Sequence, residues 1–366
     1  MLLVNASNLY VGGGVQVGLS VIEEFSRLDV EFIAVVSPPV YDQLTQQAKK
    51  NSIIIEKTPS GILNFESRAK LDEIVEHYKI KDVFTVFGPS YWNPKVKSHM
   101  VGFALPWLIY DTKKIYAKLT GREKIKKQIL RFLQPYFFKK NATKIVVETD
   151  DVRLKVINLL GMGPEKVLTI PNTVSSNFLN PNLYDYSIAN SLPVKKEDDI
   201  WLLTVAHNYP HKNIEIIYEL LELLPEKYKF ILTLDDSFLA PLSGKHKERI
   251  ILTGKVTNVQ CPPLYQQCNG MFLPTLLECF SAAYVEAAYM NKPVFTSDRD
   301  FAKAVCKNNA FYFDPLNSRD IANKLEYAFA KPDLINSYCL AAKEAARKLP
   351  DAEKRAKLYL SAIYAE

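Results

Sequence analysis

Short runs of β-branched and aromatic residues recur along the 366-residue chain, several of them followed by a stretch of helical spacing. In the first half, runs at 2–5, 32–36, 53–56, 83–87, 100–103, 145–147 and 167–170 predict strands. Several are apolar throughout rather than alternating, the pattern of a strand covered on both faces of a parallel sheet. Apolar residues three and four apart predict helices over 15–25 and 67–77. From about 175 to 199 the periodicity fades, and Asn180-Pro181-Asn182, Leu192-Pro193 and the charged run 195–199 have linker character. The pattern then restarts, with strands predicted at 201–206, 230–234, 250–253, 271–274 and 294–296 and helices over 214–224, 282–290 and 318–329. Two successive βα series predict the α/β class with two doubly wound, Rossmann-like domains, residues 1–174 and 200–366, joined by a linker over 175–199. A last helix is expected at about 352–365; pattern alone leaves open whether it leans back onto the first domain.

The length suits two such cores. No stretch approaches 18 consecutive apolar residues, which argues against a transmembrane helix. The opening Met1-Leu2-Leu3-Val4-Asn5 has no basic segment and too short an apolar run for a secretory signal, so a cytoplasmic location is expected. Five cysteines, an odd number without CxxC spacing, argue against a disulfide framework or a structural zinc site.

Charge changes the picture more. The chain carries a net +6, but residues 111–144 hold eleven Lys or Arg against two acids. That stretch stands at +9 and the remainder at −3. Ile125, Ile129, Phe132, Leu133 and Tyr136 recur there at helical spacing, with Lys124, Lys126, Lys127 and Arg131 between them. A basic amphipathic helix suits an anionic membrane surface, each cation contributing ~1 kcal/mol near lipid headgroups. Equally open is an ordinary helix with its apolar face in the core and a solvated basic face. No nucleic-acid-binding motif accompanies the charge, so nucleic acid is not expected as a partner.

Three segments carry candidate chemistry. Gly12-Gly13-Gly14 follows the first strand and precedes a helix, where glycines admit a ligand close to free amides; a plain tight turn is the alternative. His207-Asn208-Tyr209-Pro210-His211-Lys212-Asn213 lies at the end of the second domain's first strand, where ligands bind in open α/β sheets. Lys212 is placed to meet a diphosphate, with His207 and Asn208 as hydrogen-bonding groups. The third segment, Pro274 to Ala288, follows a strand and enters a helix. It holds Glu278 and Glu286 in an otherwise uncharged window, with Ser281 positioned to cap the helix. A buried Glu286 needs partners, and ribose hydroxyls would serve.

This last segment resembles the E-x7-E motif of retaining GT-B glycosyltransferases, in particular glycosyltransferase family 4, whose usual form is P-S-x-x-E-G-F-G-L-x-x-x-E-A. The chain shares the opening Pro, both acids, the Phe between them and the following Ala. Ile170-Pro171-Asn172-Thr173-Val174 resembles the I-P-N-G-V that closes the family's first domain, and Lys212-Asn213 resembles the K-G or K-N of its diphosphate site. The resemblance implies a GT-B architecture with a cleft between its domains, acceptor in the first and nucleotide-sugar in the second. It implies that Glu278 stabilises the transferred sugar and Lys212 the diphosphate leaving group. Glu286 would bind ribose, and the backbone of Phe280, Ser281 and Ala282 phosphate. Gly13 and Gly14 would approach phosphate or acceptor, and Val256 would pack on the base.

The chain departs from the family where His207 stands in place of an Arg and Cys279-Phe280-Ser281 in place of Gly-Phe-Gly. Ala104-Leu105-Pro106-Trp107 follows the strand after which many members carry a His. The implied reaction moves a hexose-type sugar from UDP or GDP, with retention, to a glycan or lipid-linked glycan acceptor. Surface polysaccharide assembly (O-antigen or capsule) is the expected setting, at the inner face of the membrane. No cofactor or metal is expected; Asp298-Arg299-Asp300 spells a DxD but lies late in the chain, and chance is the better reading. A non-catalytic nucleotide- or sugar-binding protein and a GT-B hydrolase or phosphorylase are the alternatives.

Overall fold

The computed structural model describes residues 1–61, 63–117 and 119–365. The chain divides into two compact units. The first comprises Met1–Asp111, Thr120–Asn172 and Pro350–Glu366, the second Thr112–Leu119 and Thr173–Leu349.

In the first unit β1 (Leu2–Ala6), β2 (Phe32–Val36), β3 (Ser52–Ile54), β4 (Asp82–Thr85), β5 (Ser98–Gly102), β6 (Lys144–Val147) and β7 (Val167–Thr169) form a seven-stranded sheet. Their order is β3-β2-β1-β4-β5-β6-β7, and every pairing is parallel. The direction of strand addition reverses beside β1, so the C-terminal ends of β1 and β4 flank a switch point. Helix Gly13–Arg27 buries Val17, Val21, Ile22 and Phe25 against the sheet.

Helix Ala352–Tyr364 adds Ala356, Tyr359 and Ile363 to the same core, its Tyr359 ring 4.9 Å from that of Phe84. Beneath it the buried Arg355 guanidinium donates to Asn172 Oδ1 and, at 2.7 Å, to Ser20 Oγ. Residues 350–366, grouped by sequence order with 200–366, thus belong to the first unit.

The second unit contains β8 (Ile200–Thr204), β9 (Tyr228–Leu232), β10 (Ile250–Leu252), β11 (Gly270–Leu273), β12 (Val294–Ser297) and β13 (Phe311–Phe313) in a parallel six-stranded sheet ordered β10-β9-β8-β11-β12-β13. The reversal here falls between β8 and β11. The expected linker 175–199 is not an open tether. Phe178 is buried with its ring 6.0 Å from Tyr265, and Asp185 accepts a 3.0 Å hydrogen bond from Gln260 Nε2, so this stretch is packed into the second unit.

Some elements carry no sequence prediction. β13 is three residues long, and helix Cys261–Gln267 opens on Pro262-Pro263, which a first helical turn tolerates because its amides lack intrahelical partners anyway. The five cysteines are free thiols.

Candidate functional site

Both loops that carry the motif residues of the second unit leave the sheet at its switch point. After β8 the chain runs through an exposed His207 and Asn208 to a short 3-10 turn, Pro210–Lys212. Asn213 then adopts a left-handed conformation (φ 54°, ψ 30°) and donates from Nδ2 to Pro315 O at 2.8 Å. Asn and Gly tolerate that conformation best, which is the physical reason for K-N or K-G at this step. Tyr209 and His211 stack with centroids 5.6 Å apart, and His207 lies 5.6 Å from Tyr209 on the other side.

After β11 the chain descends through Thr275, Leu276 and Leu277 to Glu278, all buried. Leu276 N donates to His211 O at 2.7 Å, and Thr275 Oγ1 donates to the same carbonyl at 3.2 Å. Ser297 Oγ at the end of β12 donates to Thr275 O at 2.6 Å. Backbone from three adjacent strand ends is thereby fixed, and the Lys212 ammonium is held against the Glu278 carboxylate in an ion pair. Their side chains are 16% and 12% exposed, so the pair is largely removed from water yet reachable. Desolvation costs each charge several kcal/mol unless the geometry compensates, and a second anion entering here would meet an already positioned cation.

Glu286 lies two turns further on, in helix Ala282–Tyr289. Burial pushes its carboxyl up from 4.5 to about 7, with a donated hydrogen bond from Tyr265 Oη (3.2 Å to Oε2) pulling the other way. Tyr265 is itself buried on helix Cys261–Gln267. No sequence signal pointed to this tyrosine, which sits 21 positions upstream of the acid it serves. Ser281 does not cap the helix through its hydroxyl, contrary to expectation; it is buried in extended backbone (φ −118°, ψ 117°), and only its carbonyl engages the first turn, accepting from Tyr284 N at 3.2 Å. Phe280 and Ala282 flank it, half-buried. The first-turn amides of a helix have no intrahelical acceptors and suit an anion. Val256 is half-buried in the loop after β10, two residues beyond Gly254 (φ 67°).

Gly13 and Gly14 belong to the first unit, at its own switch point. The strained glycine is their neighbour Gly12 (φ 67°, ψ −152°), a conformation closed to other residues. A Cβ on Gly13 would meet nothing within 4 Å, whereas on Gly14 it would touch Leu9 and Phe87. Asn8, which sequence reasoning passed over, bridges the ends of β1 and β4 by donating from Nδ2 to Phe87 O at 2.6 Å, while its buried Oδ1 has no partner among the described residues.

The Asp298-Arg299-Asp300 triplet lies after β12. Asp298 pairs with Lys303 at 2.5 Å and Arg299 with Asp314 at 3.7 Å. Among the described residues no group of three His, Cys, Asp or Glu is arranged to hold a metal ion, and no helix is long and apolar enough to cross a membrane.

Two parallel Rossmann-like sheets, each with its loops at a switch point, define the GT-B fold. Residues 190–349, almost the whole second unit, match the family model described as Glycosyl transferases group 1. Over its full length the chain superposes on WaaG, a glycosyltransferase involved in lipopolysaccharide biosynthesis (TM-score 0.73, 15% identity, 100% of both chains). It also superposes on HepE of Anabaena in complex with UDP and glucose (TM-score 0.70, 13% identity, 100% of this chain and 99% of that one). In sequence it is similar to the O-antigen chain mannosyltransferase RfbU of Salmonella typhimurium, 22% identical over 221 residues. That alignment covers 57% of this chain and 59% of the relative, less than two thirds of its length.

Proposed function

We propose that the protein is a retaining, metal-independent glycosyltransferase that moves a hexose-type sugar from a UDP- or GDP-sugar to a glycan or lipid-linked glycan acceptor in surface polysaccharide assembly. The observation that carries this reading is the Lys212–Glu278 ion pair at the switch point of the second unit, in the segment that matches the glycosyl transferases group 1 model. Breaking a sugar–phosphate bond builds positive charge at the anomeric carbon and negative charge on the departing diphosphate. Lys212 and the first-turn amides after Ser281 answer the second charge. Glu278 answers the first, released toward the sugar as Lys212 turns to phosphate. Glu286 takes the ribose hydroxyls, with His207, Asn208 and the backbone of Phe280 and Ala282 lining the donor and Val256 against the base. Gly13 and Gly14 take the acceptor or phosphate side. The similarity to RfbU favours a mannosyl donor and an O-antigen-like acceptor; a lipid-linked acceptor would be met at the inner face of a membrane.

The test is a panel of UDP- and GDP-sugars scored by thermal shift and then by release of nucleoside diphosphate with membrane-extracted acceptor, the anomeric configuration of the product being read by NMR. Transfer with retention from one donor is expected. Binding without turnover across the panel would leave a nucleotide-binding module, and an inverted product would remove the mechanism.

A further inference from the structure

The basic helix spans Gly121–Asn141 and is the longest helix among the described residues. It starts at a capping box, in which Thr120 Oγ1 accepts from Glu123 N and Glu123 Oε2 accepts from Thr120 N at 2.8 Å. One side of it is anchored in the first unit. Phe138 and Asn141 are buried, the Phe138 ring lies 5.1 Å from Phe103, and Phe137 lies 4.9 Å from Tyr91. The Lys127 ammonium sits 4.2 Å from the Trp107 ring centroid.

At 100° per residue, Ile125, Ile129, Phe132, Leu133 and Tyr136 fall within an arc of about 100° on the opposite side. They are 60%, 53%, 81%, 43% and 56% exposed. The alternative left open by the sequence, an apolar stripe turned into the core, is therefore overturned: the stripe faces solvent. Arg122, Lys126, Lys139 and Lys140 border it, all exposed. Glu123 is the helix's one acid, and the capping box engages it.

We infer that this outward face inserts into the interfacial layer of an anionic lipid bilayer. The five apolar side chains would sit below the headgroups, and the bordering Lys and Arg would reach lipid phosphates. The inference deepens the membrane-side acceptor proposed above and rests on that reading for its biological purpose, though not for its geometry. An apolar centre with cationic flanks matches the layering of a lipid surface, apolar inside and anionic at its edge. A second copy of the chain fits worse, because its own seven Lys and Arg on this helix would be brought against seven more. A partner recognised by charge alone would leave the apolar ridge without a role.

The test is flotation of the whole protein with vesicles of phosphatidylcholine, with and without phosphatidylglycerol, at low and high salt. Wild type is expected to float at least tenfold better with the anionic vesicles. Ile129→Ser/Phe132→Ser/Tyr136→Ser, all at exposed positions, should lose about tenfold in partition and show no binding that survives high salt. Lys126→Glu/Lys139→Glu/Lys140→Glu should lose the salt-sensitive part. Phe132→Trp should gain fluorescence quenching by lipids brominated in the acyl chain, relative to wild type. A ridge variant that floats like wild type, or an introduced tryptophan whose fluorescence stays unquenched, overturns the inference. So does a lipid-free dimer that the ridge variant dissociates, since the ridge would then be covered by a second copy. Thermal shift by UDP and GDP is the separate readout for the transferase reading: the ridge variant should keep it, and its absence in wild type would sink that reading while leaving the flotation result intact.

Discussion

The Lys212 ammonium and the Glu278 carboxylate meet across 66 positions of sequence. They do so because β8 and β11 are neighbours in the sheet although β9 and β10 separate them in the chain. Each lies on a loop at the C-terminal edge, and the shared carbonyl of His211 locks the loops together. Position, more than pairing energy, is what this arrangement supplies. On the proposed reading, a diphosphate entering between them would exchange one anion for another at a cation that is already oriented.

Such an exchange would make the pair a kinetic unit. Lys212→Ala and Glu278→Ala should each lower transfer about a hundredfold or more, and the double variant should be scarcely worse than either single one, as for groups that act together. Each single variant also leaves a partly desolvated charge without its partner, a loss of about 1–3 kcal/mol by denaturant unfolding. Wild-type turnover in either folded single variant removes the assigned roles.

Glu286 gives a pH signature of two opposite signs. In the free protein its carboxyl, raised to about 7 by burial, keeps a proton that the unfolded chain has released above 4.5. Between those values the native state binds more protons than the unfolded one, so this group's contribution to stability falls as pH rises and its penalty is complete above 7. Glu286→Gln should therefore raise the melting temperature at pH 8 and change little at pH 4. Nucleotide affinity should move the other way, rising through pH 7 as the carboxylate forms to accept ribose hydroxyls, by up to about tenfold per unit below the pKa. Calorimetric titration with UDP or GDP from pH 6 to 8 reads the slope, and an equal slope in Glu286→Gln would assign it to another group.

Metal dependence is a further point of decision. Lys212 and the amides after Ser281 supply positive charge without an ion, and Asp298 is committed to Lys303. Rates in excess EDTA and in millimolar magnesium should agree within about twofold if these groups supply the electrostatic stabilisation proposed for them. Strict dependence on a divalent cation would count against the roles given to Lys212 and those amides.

Much of the architecture was legible because strands buried on both faces read as unbroken apolar runs, as in Phe32–Val36 and Met271-Phe272-Leu273. β13 escaped because Phe311-Tyr312-Phe313 is too short to show a period. Within the site, Glu278 and Glu286 stood out as charges in an otherwise uncharged window, and Lys212 by its place at the end of the second domain's first strand. Their partners did not: Tyr265 looks like any core aromatic, and the Thr275–His211–Ser297 ties are made largely by backbone groups, which a side-chain pattern does not record. The direction of the basic helix was equally hidden. Apolar residues at helical spacing mark a face, but only packing of the opposite side, through Phe138 and Lys127, decides which way that face turns.

His99 offers a test of the first unit alone. It is buried on β5, its Nε2 2.8 Å from Thr85 Oγ1 on the neighbouring β4, and burial depresses its pKa from 6.5 to about 4. Below pH 6.5 the unfolded chain takes up a proton that the native state refuses, so this group's share of stability is present above 6.5 and lost as pH falls toward 4. Acid unfolding followed by hydrogen exchange should open the first unit near pH 4–5, and His99→Gln should flatten that dependence even if it lowers stability at pH 7.

The C-terminal helix makes the last prediction, because the first unit is closed by residues from the far end of the chain. Arg355 is 3% exposed, and its guanidinium reaches both Asn172, in the Ile170-Pro171-Asn172 segment, and Ser20 on helix Gly13–Arg27. Around it Ala356, Tyr359 and Ile363 complete the core against Phe84 and Val21. Arg355→Ala removes the cation along with its bonds and leaves Asn172 Oδ1 and Ser20 Oγ to find other partners, so the expected cost is about 2–4 kcal/mol. Arg355→Lys should recover only part of it, since one ammonium lacks the planar fork that spans two acceptors. The loss should appear as faster hydrogen exchange in β1, β4 and helix Gly13–Arg27, while β8–β12 keep their protection. Equal loosening of both units would mean that Arg355 supports the chain in some way other than by closing the first sheet.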